Sequence, residues 1–165
     1  MRSKVDFEEF ALARTPHLFR TAWLLCADHH LAEDLVQETL ARMFLAWRGL
    51  DRVENPSAYA QTVLVRTFIS QRRKRSSTER PTETVPEKMA NEGDQTLRMA
   101  LQSALSELSP QDRAVLVLRF FEDRSVEQVA RDLGTSSNAV RSRTSRALNR
   151  IRTVFGADLA HLALS

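Results

Sequence analysis

The sequence predicts an all-α protein made of two small helical domains joined by a flexible linker. Apolar residues recur at helical spacing through most of the chain, and no stretch alternates as a strand would. Only four Gly and five Pro occur in 165 residues, too few for a turn-rich sheet protein. Between the two periodic halves lies a polar stretch, residues 76–86, broken twice by Pro and with almost nothing to bury. The expected boundaries are 1–75 for the first domain, 76–94 for the linker and 95–165 for the second domain.

The start signals fix the elements in order. Asp6 followed by Glu9 is expected to form a capping box, opening a helix with Phe7, Phe10 and Ala11 inward. Pro16 is expected to interrupt or restart that helix, and Leu18, Phe19, Ala22 and Leu25 continue its apolar stripe. Asp28, His29 and His30 make a polar break. Ala32, Leu35, Val36, Leu40, Met43 and Trp47 then define an amphipathic helix, and residues 48–54 a loop. Asn55 is a good N-cap with Pro56 at the first helical position, and the pattern runs to about Lys74. In the second half, Leu97, Ala100, Leu101, Ala104, Leu105 and Leu108 share a face. Ser109, Pro110 and Asp112 start the next helix, which is expected to reach Phe121. Ser125 and Gln128 form a capping box for a short helix that Gly134 can end in the left-handed conformation. Ser136 caps a last helix reaching about Val154. The tail 156–165, with Leu159, Leu162 and Leu164, suits either a cap on the second domain or a regulator's binding segment.

Composition excludes several classes. With 42% hydrophobic residues the chain can build real cores. The single Cys26 can neither form an internal disulfide nor build a zinc site alone, and its apolar neighbours mark it as a buried core thiol. No secretory signal stands at the N-terminus, and no apolar run approaches the roughly 18 residues of a membrane span, so a cytoplasmic protein without membrane contact is expected. No cofactor is implied. Net charge is only +3, but the basic residues cluster, and clusters reveal partners better than totals do.

The last helix carries the sharpest cluster. With Val140 taken as inward and about 100° per residue, Ala147 and Ile151 complete a buried stripe with Leu148 beside it. Asn138, Ser142, Ser145 and Asn149 fall opposite; Arg141 and Arg146 flank them, and Arg143 lies nearer the core edge. Short polar side chains let a helix approach a major groove, and guanidiniums can take guanine O6/N7 or phosphates. A merely solvated basic face is the alternative. Against it, no acidic residue occurs between Gly134 and Gly156, where a helix shaped only for solubility would mix signs. The preceding short helix and turn complete a helix-turn-helix. A second cluster, Arg72, Arg73, Lys74 and Arg75, ends the helix begun at Pro56. The helix dipole alone would favour cations there, but four in a row suit phosphate contact. Glu33, Asp34, Gln37 and Glu38 form an acidic arc, which is either plain solvated surface or a docking face for another protein.

AEDLVQETLARMFLAW resembles the polymerase-binding helix (region 2.2) of extracytoplasmic-function sigma factors, group 4 of the sigma-70 family, in a short actinobacterial-like form. NPSAYAQTVLVRTFISQRRKR is similar to the region that opens and reads the −10 element, and LSPQDRAVLVLRFFEDRSVEQVARDLGTSSNAVRSRTSRALNRIR to region 4 with its −35-reading unit. The matches come in family order and cover nearly everything except the linker. The resemblance implies a non-enzymatic factor that binds RNA polymerase core, at the β′ clamp helices and β flap, and directs it to promoter DNA, with an anti-sigma factor as a candidate further partner. It implies that Glu33, Asp34, Gln37 and Glu38 dock on polymerase. Residues 48–55, including Arg52 and Asn55, would capture a flipped −10 base, with the following helix, through Tyr59, Arg66, Arg72, Arg73, Lys74 and Arg75, gripping the non-template strand. Ser136, Asn138, Arg141, Ser142, Arg143, Ser145 and Arg146 would face the −35 groove. Three positions depart from the family pattern: Tyr59 stands where Trp is common, Arg66 where Asn is common, and Asn138 where Gly is common.

Two rivals share some of these features. A plain helix-turn-helix regulator with a ligand-sensing first domain would have no need of the acidic helix beside an Asn-Pro-started basic one. An enzyme could use the His30-x-x-Glu33 spacing to ligate a metal, but no second such motif completes a dinuclear site, and His17 and His161 lie far off in sequence.

Overall fold

The structure is a computed structural model, and it describes residues 2–78 and 92–163. The chain divides into two units, Met1–Glu83 and Thr84–Ser165. All regular structure among the described residues is helical.

The first unit packs three helices: α1 (Lys4–Cys26), α2 (His29–Ala46) and α3 (Pro56–Thr78). α1 begins earlier than the Asp6/Glu9 pattern predicts. Ser3 is the N-cap, accepting from the Asp6 amide at 3.2 Å, while the Asp6 carboxylate accepts from the Ser3 amide at 2.8 Å. Asp6 therefore closes a box instead of opening one. Pro16 does not break the helix either. Its missing N–H deprives only the Leu12 carbonyl, and both residues lie on the solvent side, where water can serve that oxygen. α1 ends at Ala27, which takes the left-handed conformation at φ 57° and donates its N–H to the Trp23 carbonyl at 3.0 Å. Asp28 then caps α2 through the Leu31 amide at 3.0 Å.

Leu18, Ala22, Leu25, Ala32, Leu35, Met43, Leu64, Val65 and Phe68 fill the core between the three helices, and the Cys26 thiol is buried and outside any disulfide. The segment expected as a loop forms a 3-10 helix, Trp47–Arg52, because Trp47 and Leu50 turn inward. Trp47 packs against Phe7 and Phe10 and donates from Nε1 to the Ser3 carbonyl at 2.9 Å. Arg2 stacks over the Trp47 ring, donates its amide to Asp51 at 2.9 Å and its Nη2 to the Val53 carbonyl at 3.2 Å. Asn55 caps α3 as predicted, its Oδ1 accepting from the Ala58 amide at 3.0 Å.

The second unit contains α4 (Glu92–Ser106), α5 (Pro110–Leu116), α6 (Val126–Leu133) and α7 (Ser137–Ala163). α3 thus outruns the expected boundary at 75 and α4 starts ahead of 95; the remaining linker positions, 79–91, lie outside the described residues. Ser109 caps α5 and Ser125 boxes α6 with Gln128, both as the spacing predicts. The helix after Ser109 does not stay α-helical to Phe121. Val117–Phe121 forms a π turn, after which the Glu122 amide donates to the Val117 carbonyl at 3.0 Å. Gly134 ends α6 at φ 63°, and Ser136 caps α7 through the Ala139 amide at 3.1 Å. α7 runs nine residues past the expected end at Val154, so the tail begins as helix, although its side chains lie outside the described residues.

Candidate nucleic-acid interface and docking face

Val140 and Ala147 are wholly buried, and on the opposite side of α7 Asn138, Ser142, Ser145 and Asn149 are exposed. The turn at Gly134 and the caps at Ser125 and Ser136 set α6 and α7 in helix-turn-helix order, so the small polar face points to solvent. Ser136 itself is employed as the cap.

The three arginines of this face are not equivalent. Arg141 donates to Asn138 Oδ1 and to Glu127 Oε1, each at 3.3 Å, and both members of the ion pair are more than half exposed. Such a pair contributes about 0–1 kcal/mol, so an incoming anionic group could draw Arg141 from Glu127 at little cost. Arg143 and Arg146 converge on a single carboxylate, Asp112 of α5. Arg143 Nη1 donates to Oδ1 at 2.9 Å, Arg146 Nη2 to Oδ1 at 3.1 Å and Arg146 Nε to Oδ2 at 3.2 Å. Burial pushes the Asp112 carboxyl up, but the hydrogen bonds and charges of Arg146 and Arg143 outweigh it and hold the group below its ordinary range. The local sequence pattern places Asp112 only in the first turn of α5; its partners are 31 and 34 residues away, beyond any local pattern.

A further interaction that the sequence does not signal is that of Arg113, almost fully buried. Its Nε donates to the Leu105 carbonyl at 2.8 Å, and its Nη2 to those of Leu108 at 3.0 Å and Ser106 at 3.3 Å. One guanidinium thereby closes the C-terminal end of α4 and the turn after it, adding to the Leu108 amide that donates to the Leu105 carbonyl at 3.1 Å. Arg124, also buried, pairs with Asp132 of α6 at 2.7 Å.

In the first unit the acidic arc divides. Glu33, Asp34 and Gln37 are exposed on α2, with Glu33 paired to His29 at 2.9 Å. Glu38 is half-buried and committed within the fold: it accepts from Arg42 at 2.9 Å and from Gln71 of α3. The Arg42 hydrogen bond, reinforced by Gln71 and by the charges of Arg42 and Lys74, keeps its carboxyl low in spite of burial. On α3, Arg72 lies over the Phe68 ring, Tyr59 is half-buried, and Arg66, Arg73 and Lys74 are exposed; the Arg75 side chain lies outside the described residues. Arg52 is exposed at the end of the 3-10 helix, close in sequence to Asn55, whose side-chain oxygen is occupied by its cap. Among the described residues no group of three or more His, Cys, Asp or Glu is arranged to hold a metal ion, and no helix is long and apolar enough to cross a membrane.

Residues 12–78 match the family model for sigma-70 region 2, and residues 98–151 that for sigma-70 region 4. The RNA polymerase sigma-E factor of Streptomyces coelicolor is 35% identical over 154 residues, covering 92% of this chain and 87% of that protein. The ECF RNA polymerase sigma factor SigL of Mycobacterium tuberculosis is 31% identical over 145 residues, covering 82% of this chain and 80% of that one. The chain belongs to the ECF sigma factors of the sigma-70 family. It is accordingly a transcription initiation factor that directs RNA polymerase to promoters. Among solved structures, the Bartonella quintana sigma factor RpoE, crystallised with the anti-sigma factor NepR, superposes with a TM-score of 0.76 at 32% identity, covering 93% of this chain and 98% of that one. For this sigma factor, then, α2 and α3 lie in region 2, and the helix-turn-helix of α6 and α7 in region 4.

Proposed function

We propose that this sigma factor divides promoter recognition between its two units without catalysing any step itself. The polar face of α7 reads the −35 duplex, and α3 with the segment 48–55 grips the −10 strand. The exposed arc of α2, principally Asp34 and Gln37 with Glu33, docks on the β′ clamp helices of polymerase core, and region 4 meets the β flap. The observation that carries this reading is the face of Ser142, Ser145 and Asn149, exposed opposite the buried Val140 and Ala147 and flanked by Arg141 and Arg146. Rigid recognition needs an intact groove, whereas melting needs a surface that traps an extruded base and offsets an unstacking cost of a few kcal/mol. Separate units joined through residues 76–94 meet both demands. Glu38 serves the fold of region 2 more than the docking face, since its carboxylate is already shared between Arg42 and Gln71. The protein acts in the cytoplasm, where polymerase is, and an anti-sigma factor of the kind bound to the Bartonella protein is a candidate regulator.

Transcription by reconstituted holoenzyme from promoters varied base by base at −35, over a range of salt, tests the division. Arg141→Ala should cost about 1–3 kcal/mol and relax preference at one −35 position. Arg73→Ala or Lys74→Ala should weaken every promoter alike and reduce the salt slope by about one for each phosphate no longer neutralised. Equal weakening of all −35 variants by Arg141→Ala would assign that residue to phosphates and leave base reading to Asn138, Ser142 or Ser145.

A further inference from the structure

Asp112 presents a conflict that the DNA-reading face makes sharp. A carboxylate beside a surface meant for DNA repels phosphates, and a sigma factor gains no affinity from one. Yet this carboxylate is nine-tenths buried and accepts three hydrogen bonds from two arginines of the recognition helix. With its −1 set against two guanidiniums, the trio still carries a net +1, so the site remains attractive to DNA while its geometry is fixed.

The atoms used are informative. Asp112 engages Arg146 side-on, through Nε and Nη2. A guanidinium has five N–H donors, so this leaves both hydrogens of Nη1 and one of Nη2. Of these, one hydrogen of Nη1 and the remaining one of Nη2 form the end-on edge that matches guanine O6/N7 in the major groove. The Arg146 side chain is 62% exposed, so most of it is open to an incoming ligand. A free arginine on an exposed helix must lose rotamer entropy when it takes a base; one already held by a carboxylate has lost most of it beforehand. Arg143, donating to the same Oδ1, adds a third hydrogen bond that holds the carboxylate in place.

We propose that Asp112 is a positioning residue that determines −35 specificity: from α5 it holds Arg146 by the Nε–Nη2 edge and presents the Nη1–Nη2 edge to a guanine. This rests on the reading of α7 as the −35-recognition helix. The alternative is that Asp112 only fastens α5 to α7, and the two differ in sign. Removing the charge raises the net charge beside the DNA by one, so nonspecific binding should hold or strengthen while discrimination falls.

Full-length holoenzymes carrying Asp112→Asn, Asp112→Ala, Arg146→Ala and the Asp112→Ala/Arg146→Ala double variant would be assayed on the −35 promoter set, and the melting temperature of each free chain measured. Asp112→Asn should cut the preference for guanine at one −35 position about fivefold or more. Its activity on a promoter scrambled at −35 should be equal or higher. Arg146→Ala should relax the same position, and the double variant should discriminate no worse than Arg146→Ala alone. The proposal is overturned if Asp112→Asn lowers all −35 variants by one factor, or if Asp112→Ala reduces discrimination equally with Arg146 already absent. Should the alanine variant unfold, the near-isosteric Asn variant and the Arg146 single variant still decide, since each reads the same base position. An Arg146→Ala protein with its −35 preference intact would remove the underlying assignment of Arg146 as a base contact, an outcome distinct from failure of Asp112 alone.

Discussion

Replacing Arg113 should do more damage to the second unit than replacing Arg141, Arg143 or Arg146 of α7. Of the three carbonyls it donates to, that of Leu105 also accepts from the Leu108 amide at 3.1 Å and keeps that partner, that of the exposed Ser106 can turn to water, and that of Leu108 lies at a buried position. Hydrogen bonds to a charged donor contribute about 1.5–3 kcal/mol each, and a buried acceptor left unpaired costs about 1–3 kcal/mol. With one buried carbonyl left unpaired and the charged hydrogen bonds lost, Arg113→Ala should destabilise the unit by about 2–4 kcal/mol, a large share of the stability such a small domain has. Arg113→Met retains the apolar stem and loses only the donors, so it should be nearly as harmful. The chain supplies its own control: both tryptophans, Trp23 and Trp47, lie in the first unit. In urea titrations, Trp fluorescence should report an unchanged first-unit transition while far-UV circular dichroism shows helix melting at lower urea. A loss below about 1 kcal/mol in Arg113→Ala, or an Arg113→Met protein as stable as wild type, would refute the view that these carbonyls depend on the guanidinium.

Changing Asp34 and Gln37 together to Ala should weaken binding to polymerase core in a pull-down or titration while helicity stays normal, because both are exposed and neither belongs to the apolar stripe; unchanged affinity would remove them from the docking face. Acid should destabilise the second unit through Asp112. Its carboxyl is held below the ordinary value of about 3.9, so its contribution is complete above that value and is lost as pH falls through the lower, folded one. Urea midpoints should thus fall below about pH 4, less steeply in Asp112→Asn, and an identical acid profile in that variant would argue against it. Limited proteolysis of the partner-free chain should cut near Arg80 and release two stable fragments, as the polar composition of residues 76–94 predicts. An uncut chain under conditions that digest unfolded protein would argue for a single packed domain.

What the sequence made legible follows the range of the interactions involved. Caps bind within four residues, so Asn55 with Pro56, Ser109 with Pro110, Ser125 with Gln128, Gly134 and Ser136 could each be placed by inspection. The helical wheel of α7 depends only on 3.6-residue geometry, and it separated the buried Val140 and Ala147 from the exposed Ser142 and Ser145. Errors arose where two local signals competed or where tertiary packing decided. Asp6 suits an N-cap as well as a first-turn acid, and Ser3 took the cap. Trp47 and Leu50 drew a loop-like stretch into a 3-10 helix by being buried, and Pro16 was tolerated because its missing bond faces water. The hydrogen bonds of Glu38 with Gln71 and of Asp112 with Arg143 and Arg146 span 31 to 34 residues, and no periodicity encodes a partner at that distance.

The corner between α1 and α2 leaves unused stability in region 2. Ala27 sits at φ 57°, where a Cβ crowds the neighbouring carbonyl at a cost of about 1–2 kcal/mol, while glycine would sit there without strain. The geometry is dictated by what surrounds it: the Trp23 carbonyl takes the Ala27 amide, and Asp28 must emerge extended to cap α2. An Ala27→Gly chain would keep every side chain of α2 in place and relieve that crowding, with part of the gain returned to the greater freedom of the unfolded chain. Evolutionarily, this is a position at which the protein could absorb a destabilising change elsewhere in its first unit, one that would alter its promoter contacts, by exchanging a single methyl group for hydrogen.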